Sequence, residues 1–486
     1  MPLRSRRQFL EDSMFAAAAA VAANSVGSVL AAEEKQSKSP NERLSVAVVG
    51  VNGRGGSHLE AFSARKDTEV TYIVDVDDAV GQSKANYVAE RQGGRKPKVV
   101  RDMRQAFDDK SVDLVSTATP NHWHALTSIW AMQAGKDMYV EKPVCHNVSE
   151  GRRIVETARA HKKICQTGTQ SRSMAGMQAA MKFLHDGKLG EVKLAHGLCY
   201  KPRGSIGPKG HYTPPATVDY DLWLGPAPLA ELTRPHFHYD WHWQWPYGNG
   251  DLGNQGIHQM DLARWGLGLT GLSKRVFSYG GRFGYEDAGE VANTQVVVHD
   301  YGDKTLVFEV RGLKTMPYKE AKVGVIFTGT NGFLVMATYE AGAAFDKHGN
   351  MLQQFTGGGD HFDNFIKAVR SRNPKDLNAD ILEGHLSSSL CHLGNISYRL
   401  GEEVAPVEAE ERVLSLKTND NALATFERTV DHLLVNNVDP AKTRLRVGQQ
   451  LAFDSDKEKF VENSPADAML TRDYRAPYVV PPAGQV

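Results

Sequence analysis

With 486 residues, of which 41% are hydrophobic and 23% charged, the chain is long enough for two or three globular domains, and a wholly disordered, collagen-like or coiled-coil protein is excluded. The 57 basic and 57 acidic side chains cancel, so the chain lacks the broad positive charge expected of a nucleic-acid-binding protein. Its four cysteines are scattered and form no CxxC pair, which argues against a disulfide framework, an iron–sulfur cluster or a cysteine-rich zinc site.

The first residues predict an export signal. Arg6 and Arg7 precede an apolar, alanine-rich run over residues 14–23, and small residues near Ala31 suit a signal peptidase. This order resembles a twin-arginine signal peptide over residues 1–32, followed by a polar linker over 33–43; an ordinary amphipathic helix is the alternative. No later stretch reaches the roughly 18 consecutive apolar residues of a membrane span, so we expect an exported, periplasmic protein without a span after signal removal.

A strand, a glycine turn and a helix follow, as at the opening of a dinucleotide-binding fold. The strand is expected over Leu44–Val49 and the helix over 57–64, and the turn between them contains Gly50, Asn52, Gly53, Arg54 and Gly55. Glycines allow backbone N–H groups to approach a pyrophosphate at the helix N-terminus. Asn52 stands where the pattern G-x-G-x-x-G has its second glycine, and asparagine tolerates left-handed backbone.

The next predicted strand, residues 70–74, ends at Asp75. A carboxylate at this position can accept hydrogen bonds from the adenosine ribose and repels a 2′-phosphate, so we expect NAD rather than NADP. The alternative is a glycine turn in another kind of α/β protein with an incidental aspartate.

Further strands are predicted over 112–117 and 137–140 with helical stretches between them, which favours a parallel, doubly wound sheet. Ligands bind such sheets beyond the carboxyl ends of the strands. Those ends carry Thr119, Pro120, Asn121 and His124 after one strand, and Glu141 and Lys142 after the next.

Five features in this order resemble the Gfo/Idh/MocA family of sugar and inositol oxidoreductases. They are the glycine turn with Asp75, T-P-N-H-W-H (119–124), E-K-P (141–143), Q-T-G-T-Q (166–170) and G-N-Q-G-I-H-Q-M-D (253–261). The resemblance implies an α/β protein with a Rossmann domain over 44–165 and an α/β domain with an open, mostly antiparallel sheet over 166–405. Alternating β-rich runs between residues 192 and 328 agree with such a sheet. Residues 406–486 form an extension of undetermined role, and members commonly form homo-oligomers through the open sheet.

The resemblance also assigns roles to individual residues. Lys142 resembles the catalytic lysine between the nicotinamide and the substrate hydroxyl, and its alternative is a surface lysine that ends a buried strand. His258 resembles the general base on a helix over 254–265, and Asp261, one turn later, can orient the imidazole or bind a substrate hydroxyl. NAD contacts are implied for Gly50, Asn52, Gly53, Arg54, Gly55, Asp75, Thr119, Pro120, Asn121, His124, Glu141, Lys142 and Gln170.

The substrate side departs from the family at one position. Many members hold an aspartate where this chain has Asn254. Slower proton abstraction, a changed reaction and compensation by Asp251 or Asp261 are the alternatives. Residues 234–247, the aromatic segment, contain three histidines, three tryptophans and two tyrosines whose faces suit sugar rings. A loop that only covers the domain junction is the alternative, and no metal is expected because the histidines lack an identifiable second-shell partner. We expect substrate contacts from Arg172, Trp243, Asn254, His258 and Asp261.

Taken together, the sequence predicts an exported NAD-dependent oxidoreductase that transfers a hydride between a sugar or cyclitol hydroxyl carbon and nicotinamide. Free NAD is scarce outside the cytoplasm, so an exported oxidoreductase would hold its NAD tightly and recycle it with a second substrate. The alternative is an NAD-dependent glycoside hydrolase or lyase that uses NAD transiently within one cycle, through a 3-keto sugar. A non-catalytic sugar-binding relative is a third hypothesis.

Overall fold

Two β-sheets with flanking helices make up the described part of the chain, residues 43–486 of a computed structural model. The predicted signal peptide and almost all of the linker lie outside the described residues. The helices are α1 (Gly55–Ala64), α2 (Asp78–Arg91), α3 (Arg104–Asp108), α4 (Asn121–Gln133), α5 (Val148–Ala160), α6 (Ala175–His185), α7 (Tyr220–Leu224), α8 (Gly250–Asn254), α9 (Gly256–Gly266), α10 (His361–Ser371), α11 (Ile381–Arg399), α12 (Pro406–Leu414), α13 (Ala422–Val435) and α14 (Ser464–Ala468).

The strands of the first sheet are β1 (Leu44–Val49), β2 (Thr68–Val74), β3 (Lys98–Val100), β4 (Leu114–Thr117), β5 (Asp137–Val140) and β6 (Cys165–Thr167). All pairings are parallel, in the order β3-β2-β1-β4-β5-β6, and this confirms the predicted doubly wound sheet. The chain reverses direction across the sheet between β1 and β4, where a ligand crevice is expected beyond the carboxyl ends of the strands.

The second sheet contains β7 (Val192–Tyr200), β8 (Arg275–Gly281), β9 (Thr294–Asp300), β10 (Thr305–Arg311), β11 (Val323–Gly329), β12 (Gly332–Met336), β13 (Gly342–Asp346), β14 (Met351–Phe355), β15 (Glu402–Val404), β16 (Leu445–Val447), β17 (Leu451–Asp454) and β18 (Lys459–Phe460). It is mostly antiparallel, as predicted, with one parallel pair, β7 and β10. Helices α9 and α11 pack on one face, while α12 and α13 pack over β8 and β9 on the other. Burial on both faces explains why β9 and β10 are buried along their whole length.

The extension beyond residue 405 joins the two domains. Strands β16 and β17 pair with β8 at the edge of the second sheet. The chain then crosses to the first domain, where the ring of Tyr478 contacts Trp123 at a centroid distance of 5.3 Å. Arg475 donates a 2.9 Å hydrogen bond from Nε to the carbonyl of Gly225 on the way. None of the described helices is long and apolar enough to cross a membrane.

Candidate active site

The turn between β1 and α1 is shaped for close approach of backbone to a ligand. Gly50 has φ +76°, and a Cβ atom there would lie 2.7 Å from the backbone nitrogen of Thr119. A Cβ on Gly55 would lie 1.9 Å from the carbonyl oxygen of Gly50, so both positions require glycine. Gly53 instead has no atom within 4 Å of an added Cβ and faces open space. Asn52 does not adopt a positive φ, so the turn makes no use of the tolerance of asparagine for left-handed backbone; in the turn Gly50 adopts that conformation.

Asp75 lies at the carboxyl end of β2 with its carboxylate facing the turn. Its Oδ2 accepts a 2.9 Å hydrogen bond from the backbone N–H of Val51, and its Oδ1 accepts one of 3.0 Å from that of Asp77. Burial raises the pKa of this carboxyl. Each oxygen keeps acceptor capacity for a further donor, which is what a ribose hydroxyl requires.

A cavity extends from this carboxylate along the edge of the first sheet; we call it the main cavity. Of the predicted site residues it is lined by Gly50, Asn52, Gly53, Arg54, Asp75, Thr119, Pro120, Asn121, His124, Glu141, Lys142 and Asn254. Gly55 packs against the carbonyl group of Gly50 and is not part of the cavity lining. Gln170 begins a short 3-10 helix and does not line the cavity. Glycine-lined space at a helix N-terminus beside an aspartate fits a dinucleotide.

The aromatic segment closes the other wall of the main cavity. Tyr239, Trp241 and His242 line it, together with His238, whose Nε2 lies 3.2 Å from Oδ2 of Asp77. The structure does not bring Trp243 to the main cavity: its side chain is buried in a small core with Ile206, Ala288 and Val291. Residues 240–243 form a 3-10 turn that directs Trp241 and Trp243 to different sides of the segment.

Glu141, beside the cavity, is a buried carboxylate with cationic and polar partners. Its Oε1 accepts a 2.7 Å hydrogen bond from Nε of Arg54 and lies 3.2 Å from Nε2 of His58. Its Oε2 accepts from the backbone N–H of Lys142 at 3.1 Å. Although burial acts against ionisation, these partners hold the pKa of Glu141 well below its usual range. The negative charge holds Arg54, whose side chain is 38% exposed and lines the cavity.

Lys142 reaches from the first domain to the second. Its Nζ donates a 2.6 Å hydrogen bond to the main-chain carbonyl of Asn254. The predicted helix over 254–265 is divided at Gln255, so Asn254 ends α8 and His258 lies in α9. Because of this break, the carbonyl of Asn254 is available to the ammonium. Burial lowers the pKa of Lys142, and the charge of Asp251 acts in the opposite direction.

His258 lies four positions beyond the contact of Lys142, in α9, and its side chain is not part of the lining of the main cavity. Its side chain is 4% exposed, its ring centroid is 5.0 Å from that of Tyr339, and its Nδ1 is buried without a partner among residues 43–486. Burial, followed by the charge of Lys142, lowers the pKa of His258 well below 6.5. The imidazole is therefore neutral at neutral pH and able to accept a proton.

Arg172 and Asp261 face each other rather than a substrate. Arg172 donates to Oδ2 of Asp261 from Nε at 2.7 Å and to Oδ1 from its terminal nitrogen at 2.8 Å, and Ser387 donates to Oδ1 at 2.8 Å. Within the described chain the hydrogen bonds of the Asp261 side chain go to Arg172 and Ser387 and not to His258, and neither Arg172 nor Asp261 lines the main cavity. The expected roles in substrate binding and imidazole orientation are therefore not supported, because a bidentate buried ion pair already uses both groups.

Asp251, and not Asp261, is the carboxylate in contact with Asn254. Its carboxylate accepts two hydrogen bonds from Arg203, at 2.7 and 2.8 Å, and a third from the side-chain amide of Asn254 at 3.3 Å. A carboxylate thus lies one turn before the position where many family members have an aspartate. Neither the histidines of the aromatic segment nor other groups of three or more His, Cys, Asp or Glu among residues 43–486 are arranged to hold a metal ion.

Two family models match the chain. Residues 44–169 match the model described as "Oxidoreductase family, NAD-binding Rossmann fold", and residues 209–433 match "Oxidoreductase family, C-terminal alpha/beta domain". Together the matches cover more than half of the chain, and the first identifies the predicted NAD-binding domain.

Similar proteins include enzymes that act on glycosides. A "Glycosyl hydrolase family 109 protein" of Shewanella pealeana is 30% identical over 175 residues, which are 33% of this chain and 38% of the relative. An "Alpha-N-acetylgalactosaminidase" of Shewanella oneidensis is 32% identical over 128 residues, which are 26% of this chain and 28% of the relative. The chain thus matches less than two fifths of the length of these curated relatives.

Solved structures share the fold. GenD2 from gentamicin A biosynthesis, in complex with NAD, has a TM-score of 0.55 at 20% identity and covers 76% of this chain and 96% of its own. The WlbA dehydrogenase from Bordetella pertussis, in complex with NADH and UDP-GlcNAcA, has a TM-score of 0.55 at 18% identity and covers 74% of this chain and 97% of its own.

Proposed function

Because the chain belongs to the Gfo/Idh/MocA oxidoreductase family, we propose that it is an NAD-dependent enzyme that oxidises or reduces a hydroxyl-bearing carbon of a sugar or cyclitol. The observation that carries the proposal is the hydrogen bond from Lys142 to the backbone of Asn254, one turn before His258. It connects the ammonium of Lys142, which lines the main cavity together with Asp75, to the helix pair that carries the neutral imidazole of His258.

The residues divide the chemistry between them. Bound NAD would supply reversible hydride transfer. His258 removes the proton of the substrate hydroxyl, because its depressed pKa keeps the ring unprotonated at neutral pH. Lys142 stabilises the negative charge that develops on the same oxygen. Arg54, held by Glu141, presents its remaining N–H groups to the cavity as donors for further hydroxyls.

The glycine turn and Asp75 would hold the dinucleotide. Gly53 leaves room for a pyrophosphate at the N-terminus of α1, and Asp75 accepts from the ribose. A carboxylate at this point disfavours a 2′-phosphate, so we propose NAD in preference to NADP.

Release of the nucleotide from denatured protein, followed by mass spectrometry, tests the cofactor. Single-turnover formation of NADH with a panel of sugars and cyclitols then tests the reaction. Lys142→Met should lower the rate by about a hundredfold or more, since it removes the charge beside the reacting oxygen. Lys347→Met, at an exposed turn, is the matched control and should leave the rate unchanged. Equal rates in both variants would contradict the assignment.

A glycosidase is the second candidate, favoured by the relatives named for glycoside hydrolysis and by the aromatic segment over the main cavity. In such an enzyme the oxidation and the re-reduction of the sugar cancel within one cycle, so no net cofactor is consumed. Release of free sugar from aryl glycosides without added NAD would support it. Stoichiometric NADH without release of the leaving group would support the first candidate.

We also propose that the chain is exported by the twin-arginine route, on the order of Arg6, Arg7 and the apolar run in the sequence. Changing both arginines to lysine should retain the protein in the cytoplasm on cell fractionation. Unchanged export of this variant would contradict the route.

A further inference from the structure

A second cavity of about 530 Å³ lies where the C-terminal extension meets the second domain. Its lining includes Trp245, α11 residues His392, Asn395 and Arg399, and Arg472 from the extension. It shares no lining residue with the main cavity. The proposed function therefore gives it no role.

Arg399, one of two arginines in this lining, lacks an acidic partner. Its guanidinium lies over the ring of Trp245, with Cζ 4.8 Å from the centroid. Arg399 is exposed although it lines the cavity. Within the described chain no hydrogen bond or ion pair of this side chain is found, and its partial desolvation lowers its pKa. The nearest carboxylate that acts on it, Glu290, accepts a hydrogen bond from the backbone of Trp245 instead.

Arg472 is held by neutral groups. One terminal nitrogen donates to the carbonyl of Pro246 at 2.9 Å and lies 3.3 Å from Nδ1 of His146. The other ring nitrogen of His146 lies 2.8 Å from the carbonyl of Trp245, so the ring donates there and accepts from Arg472. Burial and the charge of Arg472 lower the pKa of His146 well below its ordinary value. This histidine consequently adds no charge to the cavity.

Two carboxyl groups lie near the arginines, and neither pairs with them. Glu150 is completely buried, and its oxygens accept from the backbone of His146 at 2.7 Å, from Asn147 at 2.9 Å and from the Tyr474 hydroxyl at 3.2 Å. Asp473 is exposed at the rim of the cavity. An exposed guanidinium, that of Arg399, and a partly buried one, that of Arg472, thus line one cavity, and no carboxylate of the described chain is in contact with either.

We propose that this cavity binds the phosphate or carboxylate group of a small molecule through Arg399 and Arg472. The partly buried Arg472 has only neutral partners in the described chain, so a bound anion would offset its desolvation, and Arg399 offers a second planar guanidinium, a group that suits oxyanions. The buried amide of Asn395 and the ring of His392 line the same space as neutral polar groups. Since Arg472 belongs to the extension, the site requires that segment of the chain.

Calorimetry with the full chain saturated with NAD tests the proposal, since bound NAD occupies the glycine turn as a competing anion site. The titrants are inorganic phosphate, glucose 6-phosphate and glucuronate, with glucose as the neutral control. At least one anion should bind in a way that depends on Arg399 and Arg472, whereas any binding of glucose, which the proposed function allows in the main cavity, should not depend on them. Arg399→Gln and Arg472→Gln should each weaken binding by about tenfold or more, because each removes a charge-assisted hydrogen bond.

The matched control is Arg444→Gln, which removes an exposed arginine that donates only to the carbonyl of Glu403. It should leave anion binding unchanged, as should Lys142→Met in the main cavity. If a glutamine variant does not fold, protection of Arg399 and Arg472 from phenylglyoxal by phosphate, read by mass spectrometry on the unchanged chain, decides instead.

Each outcome has a defined meaning. Equal binding of phosphate and glucose 6-phosphate supports recognition of the anion alone, whereas tighter binding of the ester or of glucuronate supports a sugar that carries the anion. Absence of binding up to about 10 mM of every anion, a concentration that would reveal even millimolar affinity, would overturn the proposal. Binding that survives both glutamine variants unchanged would overturn it as well.

Discussion

The ammonium of Lys142 is 2.6 Å from the main-chain oxygen of Asn254, and this hydrogen bond links the loop after β5 to the helix pair that carries His258. The contact brings together groups that are far apart in sequence and belong to different domains. It also places a positive charge close enough to His258 to lower the pKa of that imidazole. A substitution of Lys142 should therefore change the pKa of His258, and that change can be measured.

We expect Lys142→Gln to raise the pKa of His258, because the substitution removes a positive charge that disfavours the imidazolium. Burial, the larger cause, remains, so the pKa should rise and still stay below 6.5. NMR titration of histidine-labelled protein measures it, with His258→Gln used to assign the resonance. In the unchanged enzyme the acidic limb of the rate should accordingly lie below the ordinary histidine pKa.

Lys347→Gln is the charge-matched control and should leave the His258 resonance where it is. An unchanged His258 pKa in Lys142→Gln would mean that the two groups are not close in solution. This result would remove the geometric basis of the proposed function, whatever the activity of the variant.

The sequence was sufficient to predict that Lys142 and His258 come from different domains to one site, but not which neighbouring side chains line the cavity. Strand, turn and motif order were sufficient for the Rossmann sheet and for placing Asp75 and Lys142 at its carboxyl edge. They were insufficient for Arg172 and Asp261, since a pairing between distant positions leaves no local pattern. The choice between Trp241 and Trp243 depends on a single 3-10 turn, whose side-chain directions composition does not encode.

Asp75 should set the preference for NAD over NADP. Asp75→Asn retains one acceptor oxygen and loses the charge, so affinity for NAD should fall by roughly tenfold to a hundredfold, as for loss of a charge-assisted hydrogen bond. Affinity for NADP should rise or stay unchanged, because the repulsion of a 2′-phosphate is removed. Dissociation constants for both nucleotides, measured by calorimetry, give the ratio. Equal losses of affinity for NAD and NADP would show that Asp75 does not recognise the ribose.

The aromatic segment should slow the release of the nucleotide. His238, which lines the main cavity, lies 3.2 Å from Asp77 of the first domain, whereas His236 contacts Asp240 within the segment itself. His238→Ala should therefore raise the dissociation rate of NAD several-fold, and His236→Ala, the matched control, should not. Stopped-flow displacement of NAD measures both rates. Similar rates for the two variants would show that the segment does not retain the cofactor.

Glu150 should make the stability of the fold depend on pH. Burial raises its pKa from 4.5 to about 7, so the folded chain binds a proton that the unfolded chain has released between these values. The stabilisation is complete below about pH 4.5 and is lost as the pH rises through about 7, with a total of at most about 3 kcal/mol. Glu150→Gln is always neutral and should flatten this decline. Thermal unfolding followed by tryptophan fluorescence between about pH 5 and pH 8 measures it. Glu156→Gln, on the same helix and partly exposed, is the control and should show the same dependence of stability on pH as the unchanged protein. The same dependence in Glu150→Gln would contradict the raised pKa of Glu150.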